Sequence, residues 1–231
     1  MQLKPEARVI IDRASSEGRK FITEPEAKSI LRAYGVTVTN ESLCLTAEDA
    51  VRAAEIIGYP VVLKLISPQI VHKTEFKAVK LDVRTPQEVR GAFEEMTGRG
   101  KKAGYQIQGV LVSETASGTE LIIGGLRDPQ FGPMVMLGLG GIYVEVYRDV
   151  AYRLAPVDPV DVKDMLSELK GKKMIDGFRG REGVDQDSIV DAMVAVSKLV
   201  SDVSEIEELD LNPVFGDSRG IKVADARMLL R

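Results

Sequence analysis

The chain has 231 residues, 44% hydrophobic and 29% charged, with a net charge of −4 and no tryptophan. That is enough for one large α/β domain or two joined subdomains, and the slight acidity disfavours nucleic acid as a partner. No apolar run approaches the roughly 18 residues of a membrane span and no signal-peptide layout opens the chain, so a cytoplasmic protein is expected.

Residues 1–22 hold one apolar patch, Val9-Ile10-Ile11, amid charge, which predicts a short N-terminal helix. Thr23-Glu-Pro-Glu26 is a capping box with proline in the first turn. Behind it Ala27, Ile30, Leu31 and Tyr34 mark one buried helix face, closed by Gly35. The β-branched run Val36–Leu45 predicts a strand, in which Cys44, the single cysteine, reads as a small buried hydrophobe. Thr46 then caps a helix with Ala50, Val51, Ala54 and Ile57 inward.

Two strands, Pro60–Ile66 and Lys77–Val83, flank the polar connector Ser67–Glu75. Thr85-Pro-Gln-Glu88 is a second capping box, opening a helix with Val89, Ala92, Phe93 and Met96 inward. The run Gly98–Gly104 (GRGKKAG) lacks the GxxxxGK[ST] order of a phosphate loop and predicts a boundary between subdomains 23–104 and 105–231. From Gln106 to Pro156, four strand-like runs broken by Gly, Pro and Asp predict an antiparallel meander. Helices over residues 159–169 and 187–203 come next, and a hairpin of 208–215 with 221–228 ends the chain.

Few side chains in this sequence can carry neutral-pH chemistry. His72, the only histidine, lies in the 67–75 connector and is either a solvated loop residue or a nucleophile. Lys64, inside the apolar run Val61–Ile66, either snorkels to water or meets an anion. Glu120 stands similarly at the start of a strand. The run Leu137-Gly-Leu-Gly-Gly141 fails the GxGxxG pattern at Tyr143, leaving a tight turn or a backbone approach to phosphate. In the final hairpin Asp210 and Asn212 share one strand face, and a turn centred between Ser218 and Arg219 sets Asn212 opposite Asp225. Three oxygen-bearing side chains there suit either a polar outer face or Mg²⁺, which takes few protein ligands. Pro213 within that strand predicts an edge or a bulge.

A series of motifs runs along almost the whole chain: Glu26-Ala-Lys-x-x-Leu, Gly58-Tyr-Pro-Val-Val-Leu-Lys64, Ser67-Pro-x-Ile-x-His72-Lys, Val110-Leu-Val-Ser-Glu114 and Glu120-Leu-Ile-Ile-Gly. It continues with Arg127-Asp-Pro-Gln-Phe-Gly-Pro133, Gly138-Leu-Gly-Gly-Ile-Tyr-Val-Glu145, Asp210-Leu-Asn212-Pro-Val and Asp225-Ala-Arg227. In these the chain resembles the β subunit of ADP-forming acyl-CoA (acetyl-CoA) synthetases, a stand-alone ATP-grasp domain related to the succinyl-CoA synthetase β subunit. The resemblance implies an α/β (α+β) ATP-grasp fold, two α+β subdomains with ATP or ADP between them. It also implies a CoA-binding α subunit as partner in an α2β2 heterotetramer, with a histidine of that subunit phosphorylated first.

By the same resemblance His72 carries the phosphoryl group to ADP and Asp210 orients or receives the phosphohistidine. Lys64 holds nucleotide phosphate, Glu114, Thr115 and Ala116 border the adenine, Glu120 lies near the ribose, and Asn212 with Asp225 holds Mg²⁺. One departure stands out: Lys77-Ala78 replaces the family's usual Gly-Gly after the histidine run. A carboxylate ligase working through an acyl-phosphate, and a nucleotide-binding module without chemistry, are the alternative readings.

Overall fold

The computed structural model describes residues 4–70, 76–141, 149–180 and 182–231, and the helices that follow Thr23, Thr46, Thr85, Asp158 and Asp185 begin where these capping residues precede apolar stripes. Helix α1 (Pro5–Ser16) buries Ala7, Ile10, Ile11 and Ala14, and the short strand β1 is Phe21–Ile22. Helix α2 (Glu24–Ala33) starts at Thr23, whose N–H and hydroxyl donate to the Glu26 carboxylate at 3.0 and 2.8 Å. It ends before Gly35, which takes a φ of 88° that favours glycine.

Strand β2 (Glu41–Cys44), helix α3 (Ala47–Ile57), strands β3 (Val61–Ile66) and β4 (Val79–Val83), helix α4 (Pro86–Lys102) and strand β5 (Gly109–Glu114) come next. The Thr46 and Thr85 side chains accept from the N–H groups of Asp49 and Glu88. At α4 the returning bond reaches one residue further than a capping box requires, from the Arg84 N–H to Glu88 at 2.7 Å. Beyond lie β6 (Thr119–Asp128), β7 (Gly132–Leu139), β8 (Val150–Leu154), α5 (Pro159–Glu168), α6 (Lys172–Asp176), α7 (Gln186–Asp202), β9 (Ile206–Asp217), β10 (Gly220–Val223) and β11 (Ala226–Leu230). Each cap is worth about 1 kcal/mol and each buried Leu, Ile or Phe about 1.5–3 kcal/mol, so caps set helix ends while apolar faces set packing. Among the described residues no helix is long and apolar enough to cross a membrane.

The chain divides into two compact units, one of Thr39–Thr115 and one of Met1–Val38 with Ala116–Arg231. In the 39–115 unit an antiparallel sheet runs in the order β2-β5-β3-β4. Strand alternation sends Val61, Leu63, Leu65, Val110 and Val112 to one face, where they form a core with Ala50, Ala54, Val89, Phe93 and Met96 of α3 and α4. The larger unit holds a sheet in the order β1-β11-β9-β6-β7-β8, with β10 also paired to β9. Its core joins Leu121, Ile123, Leu209, Leu211 and Met228 of the sheet to Ile30 and Leu31 of α2 and Met193 and Val196 of α7.

Three sequence expectations change. The run 98–104 is mostly helix rather than a break: α4 continues to Lys102, and a Cβ at Gly100 would lie 2.4 Å from the Ile107 Cδ1. Its glycine serves close packing. The units part instead at 38/39, inside the run expected as one strand, and at 115/116, just past β5. Of that run Glu41–Cys44 is strand, while Val38 forms an isolated parallel bridge with Val223 in the other unit's sheet. Finally, only β6, β7 and β8 make the expected meander; β5 pairs with β2 and β3. Strand-like runs alone do not say which sheet a strand joins.

Candidate functional site

In the 39–115 unit, β3 sets Lys64 opposite Leu111 on one side and Val79 on the other. Because Leu63 and Leu65 enter the core, alternation turns Lys64 to the other sheet face, although only 6% of it is exposed. At the end of β5 the Glu114 carboxylate accepts the Asn40 N–H at 2.7 Å, and the Glu114 N–H donates to the Asn40 carbonyl at 2.9 Å. The Thr115 hydroxyl donates to the Pro60 carbonyl at 2.8 Å. These two side chains therefore brace their own unit. Ala116, half-buried, opens the other unit.

His72 lies outside the described residues, as do Lys73 of its motif and Ile142–Glu145 of the glycine-rich motif. Both flanks of residues 71–75 are described, and both are tied to the end of α4 and the residues just beyond it. Before the segment, the Gln69 side chain accepts from the Gln106 N–H at 2.9 Å and from the Ser67 hydroxyl at 3.1 Å. After it, Phe76 lies 5.0 Å from the Tyr105 ring and 5.8 Å from the Arg99 guanidinium, which donates to the Lys77 carbonyl at 2.6 Å. Lys77 takes a φ of 51°, in the left-handed region that favours glycine.

In the larger unit Glu120 stands opposite Phe215 on β6 and is exposed. It borders a cavity of about 1200 Å³ whose lining includes Gly140, Gly141, Lys173, Arg179 and Asp217. The glycine run has a packing role here. A Cβ at Gly140 would lie 3.0 Å from that of Glu120, and one at Gly141 (φ 62°) would lie 2.9 Å from the Glu120 Oε2. The Gly140 N–H also donates to the Glu120 carbonyl at 2.7 Å. Sequence reasoning missed Lys173 and Arg179, because the residues around α6 show no periodicity.

The final hairpin keeps the expected register. Gly220 pairs with Asp217 and Val223 with Val214 along β10, and beyond a gap Ala226 pairs with Leu211 and Arg227 with Asp210 along β11. Asn212 and Asp225 fall opposite each other in that gap. Against β6 the register of β9 shifts by one between Leu121 and Ile123, so Asn212 and Pro213 form a bulge. Pro213 thus sits in a bulge of an interior strand; the edge alternative falls. Burial pushes the Asp210 carboxyl above the usual aspartate range; Glu208 adds to this, Arg227 opposes it and Asp225 adds again. Accumulated negative charge at this hairpin is what a cation would relieve. Among the described residues no three His, Cys, Asp or Glu side chains are grouped to hold a metal. The donors here are carboxylates plus an amide, which fits Mg²⁺ completed by water and phosphate rather than a metal needing a full protein cage.

Sequence reasoning also missed Glu24 and Lys28 of α2, which are 4% and 0% exposed. The signal was available: Glu24, Lys28 and Leu31 stand at i, i+4, i+7 on a helix whose Leu31 is core.

Comparison with known proteins matches residues 13–230 to the ATP-grasp domain family. The Pyrococcus furiosus acetate–CoA ligase [ADP-forming] II subunit beta is 43% identical, over 99% of this chain and 100% of that protein. The 4-hydroxybutyrate–CoA ligase [ADP-forming] of Nitrosopumilus maritimus is 40% identical over 97% of this chain, which spans 33% of that longer protein. An acetyl-coenzyme A synthetase of Ca. Korarchaeum cryptofilum superposes with a TM-score of 0.87 at 44% identity, covering 97% of this chain and 100% of that one. It was solved with coenzyme A and Mg-AMPPCP, its phosphohistidine segment pointing towards the nucleotide binding site. Matched along nearly its full length by a family model and by relatives alike, the chain belongs to the ATP-grasp family, among the beta subunits of ADP-forming acetate–CoA ligases.

Proposed function

We propose that this chain is the nucleotide-binding beta subunit of an ADP-forming acyl-CoA synthetase of the cytoplasm, converting acyl-CoA, ADP and phosphate reversibly into free acid, CoA and ATP. The observation that carries this reading is the 43% identity with a beta subunit covered from end to end. Since the chain corresponds to one third of a longer ligase, the acyl-CoA is handled in this reading by a separate CoA-binding alpha subunit. Two copies of each form an α2β2 heterotetramer.

His72 receives the phosphoryl group from a phosphorylated histidine of the alpha subunit. The neutral imidazole nitrogen attacks phosphorus as the donor N–P bond breaks. In the second transfer the terminal phosphate oxygen of ADP attacks, the His72 N–P bond breaks, and the new O–P bond completes ATP. Such transfers need positioning and charge neutralisation more than covalent machinery. Lys64 supplies a charge-assisted contact to nucleotide phosphate, and Glu120 accepts from the ribose hydroxyls. The segment ending Glu114, Thr115 and Ala116 borders the adenine through its main chain. Asn212 and Asp225 are the residues that would hold Mg²⁺, which when bound neutralises charge on the phosphates. Asp210 orients the phosphohistidine imidazole.

Co-expression with a candidate alpha subunit, followed by assay of ATP formation from several acyl-CoAs, tests this function. ATP formed only when both chains are present supports it. Co-purification without ATP formation from any acyl-CoA counts against it.

A further inference from the structure

We propose that the buried Glu24–Lys28 pair of α2 is a positioning device for Asp225; this rests on the reading of Asp225 as a Mg²⁺ ligand. The Lys28 ammonium, fully buried, lies 3.0 Å from the Glu24 carboxylate and donates to the Ala224 carbonyl at 2.9 Å. Ala224 is the residue before Asp225, and its N–H donates to the carbonyl of Pro213, the residue after Asn212, at 3.0 Å. One residue therefore joins three things: a buried ammonium, the bulge that carries Asn212, and the main chain that carries Asp225. It does so in the gap where β10 gives way to β11.

Stability does not account for such a pair. Withdrawing two charges from water is costly, and apolar residues of similar volume often serve a fold as well or better. Glu24 four residues ahead of Lys28, in the first turn of α2, is the favourable order on a helix. The arrangement lets a rigid helix deliver an ammonium to one particular carbonyl. What the ion pair provides and an apolar pair cannot is a fixed place for Ala224, and through it for the carboxylate of Asp225. Partners beyond the ligand shell act in this way at metal sites, and changing them costs about 10–100-fold in metal affinity.

The test is calorimetry on the full chain with ADP alone and with ADP plus Mg²⁺, for the parent, the neutral double variant Lys28→Met/Glu24→Gln and, in parallel, Asp225→Ala. The double variant should keep its melting temperature and its Mg²⁺-free ADP affinity. The gain in ADP affinity on adding Mg²⁺ should fall about tenfold or more. An unchanged Mg²⁺ gain in the double variant, with Asp225→Ala impaired, overturns the positioning role and leaves the metal reading standing. Equal losses with and without Mg²⁺, together with a lowered melting temperature, also overturn it, since a merely structural role would produce them. If Asp225→Ala itself keeps the full gain, the metal reading fails first and the proposal falls with it.

Discussion

Among the described residues each unit buries one lysine within its fold, and the two are held in different ways. Lys64 of the 39–115 unit is positioned by its neighbours in sequence: β3 alternates, Leu63 and Leu65 take the core face, and Lys64 takes the other. Lys28 of the larger unit is positioned by a partner nearly the whole chain away, the Ala224 carbonyl. The first unit is continuous in sequence, whereas the second closes only when residues before Val38 join those after Ala116. Contributions from a continuous unit should thus respond to local substitutions. The hairpin of the larger unit should respond also to changes in the N-terminal segment.

The largest effect should come from the continuous unit. His72→Asn is expected to abolish an acid-labile, base-stable phosphate label, formed with Mg²⁺ and ATP, and all ATP synthesis with the alpha partner. Nucleotide affinity should remain near that of the parent. No second histidine exists to rescue the result, so ATP formation by the variant would remove the carrier role outright.

Next in size is the hairpin. Asp225→Ala should weaken Mg·ADP binding by more than the about 10–100-fold typical of changes beyond the ligand shell, with Asn212→Ala milder. Titration calorimetry giving parental affinity for both would return Asn212 and Asp225 to an ordinary polar face.

The hairpin was legible in the sequence because antiparallel pairing is local. A turn centred between Ser218 and Arg219 sets the pairing of β9 with β10 and β11, and the structure keeps that register through Leu229 and Glu208, shifting only at Leu230. Capped helices were legible for the same reason. What the sequence did not disclose was membership. Val38 and Glu41 lie in one β-branched run yet belong to different units, and β5 reads like β6 but pairs elsewhere. Composition and periodicity report which face of an element is apolar, not which distant element covers it. The helix spacing could have shown that Lys28 is buried, but not its carbonyl partner, which lies far along the chain. His72, Lys64 and Asp225 drew their functional reading from motif resemblance, since taken singly each has an ordinary structural explanation.

Lys64→Ala should cost about 1.5–3 kcal/mol of nucleotide affinity, the worth of a hydrogen bond to a charged group. With or without Mg²⁺ the loss should be similar, in contrast to the hairpin variants. An ADP affinity that does not move would mean that Lys64 serves its own sheet.

The smallest effect concerns the start of α2, where Glu26 ties the helix to the turn before it. Glu26 accepts from Arg19 at 2.9 and 3.0 Å and from the Thr23 N–H and hydroxyl at 3.0 and 2.8 Å. Burial alone would raise its pKa, but the hydrogen bonds from Arg19 and Thr23 outweigh burial and hold the carboxyl below the usual glutamate range. A carboxylate favoured by the fold contributes stability that is present above its unfolded pKa, about 4.5, and is lost as the pH falls through the lower folded value. Glu26→Gln should therefore cost about 1 kcal/mol near neutral pH, the scale of a lost helix cap, or about 2–4 °C in Tm for a chain of this size. Because the parent loses this contribution on acidification and the variant has none to lose, their Tm values should converge as the pH falls below 4.5 and through the lowered folded value. A gap that stays constant from neutral to acid pH would show that the amide fails for reasons of shape rather than charge.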